Sequence, residues 1–350
     1  MAQTTPFVVA HYGSLLALHE FCTALPKAEL HAHVNGSISP DTMRVLIEQK
    51  KDAKPHLAEF RIPDKLEQIT DFFPLFKFIY QLTDNEESVR LAVHSVINEF
   101  ATDGVRYLEL RSTPRRCNET GMTKESYVCA VIETMRECES AERIVVRLIL
   151  SVDRRNTLEE AMEVVALALK FREEGVVGVD LCGDMMVGSF DELKPAFLKA
   201  KEAGMKITLH FGEVSSNVPE SPSLLSVYPD RLGHATILDD VSRTEIYARN
   251  LPIELCMTSN VLCQTVKDYG EHHIKEQHAF FFTGVFMCSL SSEYAIAAST
   301  FSLTKAQVYE ASLRSIDTIF ADDKVKDELK RVWGEWWQGH SKVAVVKHEA

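Results

Sequence analysis

The sequence predicts an α/β protein, a (β/α)8 barrel. Two observations carry this. Seven short apolar runs alternate with longer amphipathic stretches, and histidines stand at the ends of three of those runs. Alternation of strand and helix argues for a parallel sheet, and so many units in succession favour a closed barrel over an open doubly wound sheet.

The predicted strands are Lys27–His31, Val105–Ser112, Ile144–Val152, Val176–Cys182, Lys206–Phe211, Arg231–Ala235 and Ile253–Met257. Between them, Glu87–Thr102, Thr123–Glu139, Leu158–Glu174 and Phe190–Ala203 carry apolar residues at helical spacing with charges on the other side. No Gly-x-Gly-x-x-Gly follows the first strand and no Walker loop occurs, which argues against a dinucleotide or P-loop fold. The stretch from Pro40 to Glu86 reads as helices over the barrel mouth. The expected organisation is an N-terminal helical extension over residues 1–24, a barrel over 25–325, and a C-terminal helix and tail over 326–350. Trp333, Trp336 and Trp337 recur at helical spacing and read as a packed stripe on that last helix.

Bulk properties narrow the function classes. The chain has 350 residues and a formal net charge of -13, which argues against nucleic-acid and membrane partners. A small molecule is the expected partner, the chain acting as a monomer. Its eight cysteines form no Cys-x-x-Cys pair and read as reduced thiols, and no apolar run approaches the roughly 20 residues of a membrane span. The expected location is the cytoplasm.

The chemistry sits at strand ends. His31 and His33 are two apart on the first strand, so their imidazoles share one face. Alone, they would also suit two surface histidines. His210 ends the fifth strand with Glu213 three residues on, and His234 ends the sixth. The C-terminal ends of barrel strands form one rim, where active sites lie. Three imidazoles with a neighbouring carboxylate fit a catalytic zinc site with an acid/base. After the second strand, Arg111, Arg115 and Arg116 surround Ser112, Thr113 and Pro114, a composition suited to phosphate binding or simply to solubility. Gly183 would let backbone approach a ligand closely.

With these residues in hand, the sequence resembles the adenosine/AMP deaminase branch of the amidohydrolase barrels. The matching motifs are ELHAHVNGSI (Glu29–Ile38), YLELRSTPRR (Tyr107–Arg116), GVDLCGD (Gly178–Asp184), LHFGE (Leu209–Glu213), RLGH (Arg231–His234) and ELCMTSN (Glu254–Asn260). The resemblance implies one Zn2+ per chain, held by His31, His33 and His210. It implies Glu213 as proton donor to purine N1, and His234 as the residue that orients or deprotonates the attacking water. Substrate contacts would come from His33, Asn35, Tyr80, Ser112, Thr113, Pro114, Arg115, Asp153, Gly183, His210 and Glu213. The implied reaction is hydrolytic deamination of an N6-substituted purine nucleoside monophosphate, N6-methyl-AMP giving IMP and methylamine; adenosine or AMP are the alternative substrates.

The chain departs from the family in one important place. The family's eighth strand ends in Thr-Asp-Asp, which supplies a zinc ligand and a purine contact. Here no aspartate occurs between Asp268 and Asp317, and the strand before Gly284 is curtailed. This supports a second expectation, a nucleotide-binding pseudoenzyme or impaired variant. Smaller departures are Ala235 in place of a glycine and Tyr80 where relatives often carry histidine.

Overall fold

Parallel strands form one sheet in sequential order from β1 to β8, wrapped into a nearly closed barrel with helices outside. The computed structural model describes residues 16–60, 72–276, 280–282 and 288–346. The strands are β1 (Lys27–His33), β2 (Val105–Ser112), β3 (Val145–Asp153), β4 (Val176–Cys182), β5 (Lys206–Phe211), β6 (Arg231–His234), β7 (Ile253–Leu255) and β8 (Phe280–Phe282). Three of the predicted strands, β2, β4 and β5, match residue for residue. β1 runs two residues further, so His33 is itself in the strand. β7 is shorter than predicted because Met257 opens a helix. The curtailed eighth strand is observed: β8 has three residues and pairs with β7. Among the described residues no ladder joins β8 back to β1.

The helices that matter for the site are a first helix, α1, over residues 16–24, then α2 (Pro40–Lys50), α3 (Phe72–Leu82), α4 (Glu86–Thr102), α5 (Lys124–Glu142), α6 (Leu158–Lys170) and α7 (Phe190–Glu202). They continue as α8 (Ser221–Leu225), α9 (Asp240–Ala248), α10 (Met257–Leu262), α11 (Leu290–Thr300), α12 (Lys305–Thr318) and α13 (Asp323–Val346). Capping explains several starts. Thr123 and Ser126 cap α5 reciprocally, as Thr157 and Glu160 do α6. On α13, Trp333 is fully buried and its indole N–H donates to Ser312 Oγ, while Trp336 and Trp337 stack on Tyr309, so the tryptophan stripe is packed as expected. Among the described residues no helix is long and apolar enough to cross a membrane.

The barrel interior is unusual in its polarity. Barrel cores are commonly filled by Val, Ile and Leu. Here Glu109 and Arg111 of β2, Asp180 of β4, Thr208 of β5, Arg231 of β6 and Glu254 of β7 are all fully buried. They form one connected set. Arg231 bonds both Glu109 and Glu254, and Arg111 bonds both Glu254 and Asp180. Below, Glu109 also accepts from the Tyr107 hydroxyl and the Phe320 N–H, and Arg231 stacks on the Phe320 ring at 3.6 Å. Burial works against the charges of Arg111, Arg231, Glu254 and Asp180, and neighbours of opposite sign more than offset it.

Removing one member strands the others in a dry interior. Arg231→Met is expected to lower unfolding free energy by about 3–5 kcal/mol, the usual cost of breaking a buried pair from one side. Arg331→Ala, which removes exposed pairs on α13, is expected to leave the midpoint unchanged. Urea denaturation followed by tryptophan fluorescence checks both, and equal midpoints for the two variants would show that the network is not a stabilising unit.

Candidate active site

A pocket opens at the C-terminal rim of the barrel. Its floor holds His31, His33, His210, His234, Glu213 and Arg111; its walls include Asn35, Ser112, Thr113, Asp153 and Gly183; Phe76, Lys77 and Tyr80 of α3 close one side.

The four histidines converge as the sequence predicted. The rings of His31 and His33 are 5.2 Å apart, those of His31 and His210 4.7 Å, and those of His31 and His234 5.1 Å. His33 and His210 reach their places from their strands, and His31 from a stretch of β1 whose register with β2 shifts by one residue between Glu29 and Ala32. His234 needs a break in strand geometry. Arg231 and Gly233 face the interior, so a regular strand would turn His234 outwards. Instead His234 has φ 61° and Ala235 φ 47°, left-handed values that break the alternation and return the imidazole to the pocket. Such a backbone explains why glycine suits the position of Ala235. Gly233 is needed for a different reason: a Cβ there would stand 2.8 Å from the His31 ring.

The imidazoles of His31, His33 and His210 form a group whose ligating atoms lie within 4.8 Å of one another. Their hydrogen bonds determine which nitrogens are available. His31 Nδ1 lies 2.5 Å from Glu254 Oε2, a carboxylate that Arg111 and Arg231 hold well below its usual range against burial. His210 Nδ1 donates to the Leu181 carbonyl at 2.7 Å and lies 3.1 Å from Asp180 Oδ1. A carbonyl can only accept, so the His210 proton is on Nδ1 and Nε2 is free to ligate. His33 Nε2 and His210 Nε2 face each other at 3.1 Å. Two ligands on a tetrahedral zinc stand about 3.3 Å apart, given Zn–N near 2 Å. Carboxylates or a carbonyl behind two of the ligands are the usual support for metal-binding histidines. The residues present therefore fit a divalent metal.

Among the described residues no carboxylate joins this trio as a further ligand. Glu271 is exposed; Glu293 is engaged elsewhere, accepting from the N–H and hydroxyl of Thr258. Residues 283–287, including Thr283 and the Gly-Val-Phe that follows, lie outside the described residues, as does the side chain of Glu276. A second group, His31, His234 and Cys256, shares one imidazole with the first.

Glu213 is largely enclosed, and burial raises its carboxyl pKa despite the neighbouring His210. Its Oε1 is 3.6 Å from His234 Nε2. Burial drives the His234 imidazole well below its usual value, so the ring is neutral. Gly183 has φ 102°, and a Cβ there would stand 2.7 Å from Asp153 Oδ1. Only glycine can bring this backbone over Asp153, which is itself clamped by Arg155 through Nε and Nη2.

Two expectations need correction. Pro114 and Arg115 do not line the pocket. Arg115 turns back against α3 and its C-terminal turn, donating to the Thr83 carbonyl at 2.8 Å and the Thr83 hydroxyl at 2.7 Å, with its guanidinium over the Tyr80 ring. Nor do the other two arginines of that motif reach the mouth: Arg111 is committed to the buried network, and exposed Arg116 pairs with Glu163. Besides Arg111 at the floor, the lysine and arginine that line the pocket are Lys77 and Arg155. Sequence reasoning missed Lys77. Asp180 and Glu254 were inside quoted motifs but had no role; a charged residue in an otherwise apolar strand was the available signal.

A barrel with this rim of histidines defines an amidohydrolase-type enzyme. The comparisons specify it. A family model for adenosine deaminase matches residues 26–333. A Danio rerio protein named N6-methyl-AMP deaminase is 43% identical over 338 residues, covering 90% of this chain and 96% of that protein. The Homo sapiens protein of the same name is 42% identical over 334 residues, covering 90% and 94%. The crystal structure of Arabidopsis ADAL complexed with IMP superposes with a TM-score of 0.85 at 36% identity, covering 90% of this chain and 98% of that one. The chain belongs to the adenosine deaminase family and is a hydrolytic deaminase. Nothing in these comparisons supports the pseudoenzyme reading.

Asp180→Asn is expected to weaken zinc binding about 10–100-fold, because an amide supports His210 Nδ1–H less well. Competition against a chromophoric chelator measures this on the purified protein. An unchanged affinity would mean that His210 is not a ligand.

Proposed function

We propose that this enzyme hydrolyses N6-methyl-AMP to IMP and methylamine, with zinc held by His31, His33 and His210. The observation that carries this reading is a single pocket joining the imidazole trio and Glu213 at its floor to Lys77 and Arg155 at its mouth. The relatives named N6-methyl-AMP deaminase, and the IMP bound by the Arabidopsis protein, support the substrate.

Zinc in this position supplies Lewis acidity, which makes a water nucleophilic at neutral pH. The remaining steps belong to the protein. Glu213, whose carboxyl pKa burial raises, gives its proton to purine N1, and C6 becomes electrophilic. Water adds to C6. One proton of that water passes to the exocyclic nitrogen, the C6–N bond breaks, methylamine leaves, and the remaining hydroxyl proton returns to Glu213 as C6=O forms. Water and N6-methyl-AMP are consumed, IMP and methylamine formed. The Gly183 backbone lies against the purine, while Asn35, Ser112, Thr113 and Asp153 offer polar groups to the sugar. Tyr80, its ring backed by Arg115, walls the site on the α3 side. Lys77 and Arg155 meet the phosphate, binding energy from a remote group that helps orient the reacting end.

The decisive assay measures amine release from N6-methyl-AMP, AMP, N6-methyladenosine and adenosine with zinc-loaded protein. The expected order puts N6-methyl-AMP first, and equal rates on the nucleosides would overturn the nucleotide reading. Glu213→Gln is expected to lower kcat by about 100–10,000-fold, the range for losing a general acid, with IMP affinity retained by calorimetry. Lys77→Met is expected to raise KM for N6-methyl-AMP by about tenfold, as for a lost charge-assisted hydrogen bond. KM for N6-methyladenosine stays the same, and equal rises on both substrates would remove Lys77 from phosphate recognition.

A further inference from the structure

The role of His234 is open between two possibilities, orienting a water or taking its proton. The choice depends on which ring nitrogen carries hydrogen, and the surroundings of Asn260 decide it. His234 Nδ1 lies 3.3 Å from Asn260 Nδ2. That amide nitrogen also meets Thr236 Oγ1 at 3.1 Å and Thr265 Oγ1 at 3.0 Å. The amide oxygen meets His272 Nε2 at 3.2 Å. Asn260, His234 and His272 are buried, at 1%, 4% and 1% exposure, so water cannot settle the matter for them.

An amide can be assigned either way round, and only its neighbours distinguish the two. With Nδ2 towards Thr265, that hydroxyl accepts from the amide at 3.0 Å and can lend its hydrogen to the Asn260 backbone carbonyl at 3.1 Å, an oxygen that also receives the Thr265 and Val266 N–H groups. The reversed amide fares worse. Its oxygen would face two hydroxyls and a ring nitrogen, while its nitrogen would meet His272 alone and bury an N–H without an acceptor. Buried orphan donors are rarer than under-used acceptors. Nδ2 has two hydrogens for three neighbours, the hydroxyls of Thr236 and Thr265 and His234 Nδ1; however they are shared, a hydrogen on Nδ1 would face an amino group that offers it no acceptor. His234 therefore carries its hydrogen on Nε2, the nitrogen facing Glu213.

We infer that Asn260, which the family reading leaves without a role, is a positioning residue that fixes His234 as a hydrogen-bond donor to the reaction centre. Nε2–H can hold the oxygen of the attacking water and stabilise negative charge that gathers there. It has no lone pair with which to take that water's proton. Thr265 keeps the amide oriented, and His272 donates to its oxygen. His273 Nε2 lies 2.8 Å from the His234 carbonyl and anchors the left-handed turn that presents the ring. The kinetic consequence rests on the deaminase reading; the tautomer does not.

The test reads the tautomer first. The full chain, labelled with 15N-histidine and loaded with zinc, is observed by long-range 1H–15N correlation, the His234 signals being identified by their loss in His234→Gln. A protonated Nε2 and a bare Nδ1 are expected. A protonated Nδ1 overturns the inference, whatever the substrate proves to be. Asn260→Asp then places an acceptor beside Nδ1 and is expected to move the hydrogen there. On N6-methyl-AMP, kcat should fall more than about 100-fold, while Kd for IMP changes less than about twofold, as for an interaction made in the transition state. Thr265→Ser, which keeps the hydroxyl, should preserve tautomer and kcat, whereas Thr265→Val should lose both. A shifted tautomer with unchanged kcat would overturn the positioning role. Absence of deamination by the unaltered enzyme would fall on the functional reading instead, the wild-type spectrum still deciding the tautomer.

Discussion

The structure depends on a chain of alternating charges sealed inside the barrel: Glu109, Arg231, Glu254, Arg111 and Asp180, every one fully buried. It crosses from the N-terminal end, where Phe320 and Tyr107 close over Glu109, to the floor of the pocket. At the upper end its two carboxylates continue into imidazoles, Glu254 into His31 and Asp180 into His210. Fold and site are thus one electrostatic system. Desolvation of such a set is expensive, and replacing it with hydrocarbon could equally fill a barrel. What hydrocarbon could not do is fix the rotation and tautomer of His31 and His210.

That dependence separates what the sequence made legible from what it did not. The strands could be read because buried parallel strands are apolar runs between amphipathic helices, and β2, β4 and β5 fell on the predicted residues. The imidazoles could be read because strand ends share a rim. Glu254 and Asp180 could not be given their partners, since nothing local pairs a residue on β7 with one on β1, or β4 with β5. The arginines failed for a related reason. Arg111, Arg115 and Arg116 sit close together in sequence, yet the backbone sends one into the barrel, one back to Thr83 and one out to Glu163. Composition reports a cluster of charge; only the fold says where each charge is spent. Lys77 was missed although its helix was expected over the mouth, because an isolated lysine carries no signal of which helix face turns to the pocket.

Ala235 and Tyr80 show how local departures are absorbed. An alanine at φ 47° is strained, but the strain serves the adjacent His234, which must leave regular strand geometry to enter the pocket. The hydrogen bond of His273 to the His234 carbonyl and the contact of Asn260 with its ring hold that turn from two sides. Tyr80 brings a phenol, raised to about 12 mainly by burial, and the face of its ring receives Arg115. The motif arginine therefore shapes the pocket wall while remaining outside the lining.

The short eighth strand shifts the weight of the site onto its neighbour. β8 has three residues and β7 three, so little sheet stands between β6 and β1, and among the described residues no ladder joins β8 to β1. Yet the segment that begins at β7 supplies Glu254 to His31, Cys256 beside His31 and His234, and Asn260 to His234. It cannot owe its precision to a long ladder. It owes it to side chains: Glu293 of α11 receives the Thr258 N–H at the start of α10, and Thr265 and Val266 fold back on the Asn260 carbonyl. A carboxylate at a helix N-terminus satisfies donors the helix leaves open and opposes its dipole. Glu293, set aside as a metal ligand, thus acts on the same centre by another route, because the turn it pins is the one that orients His234. On the side of the pocket where the sheet is shortest, His31 and His234 are thus held from β7 and the turn that follows it.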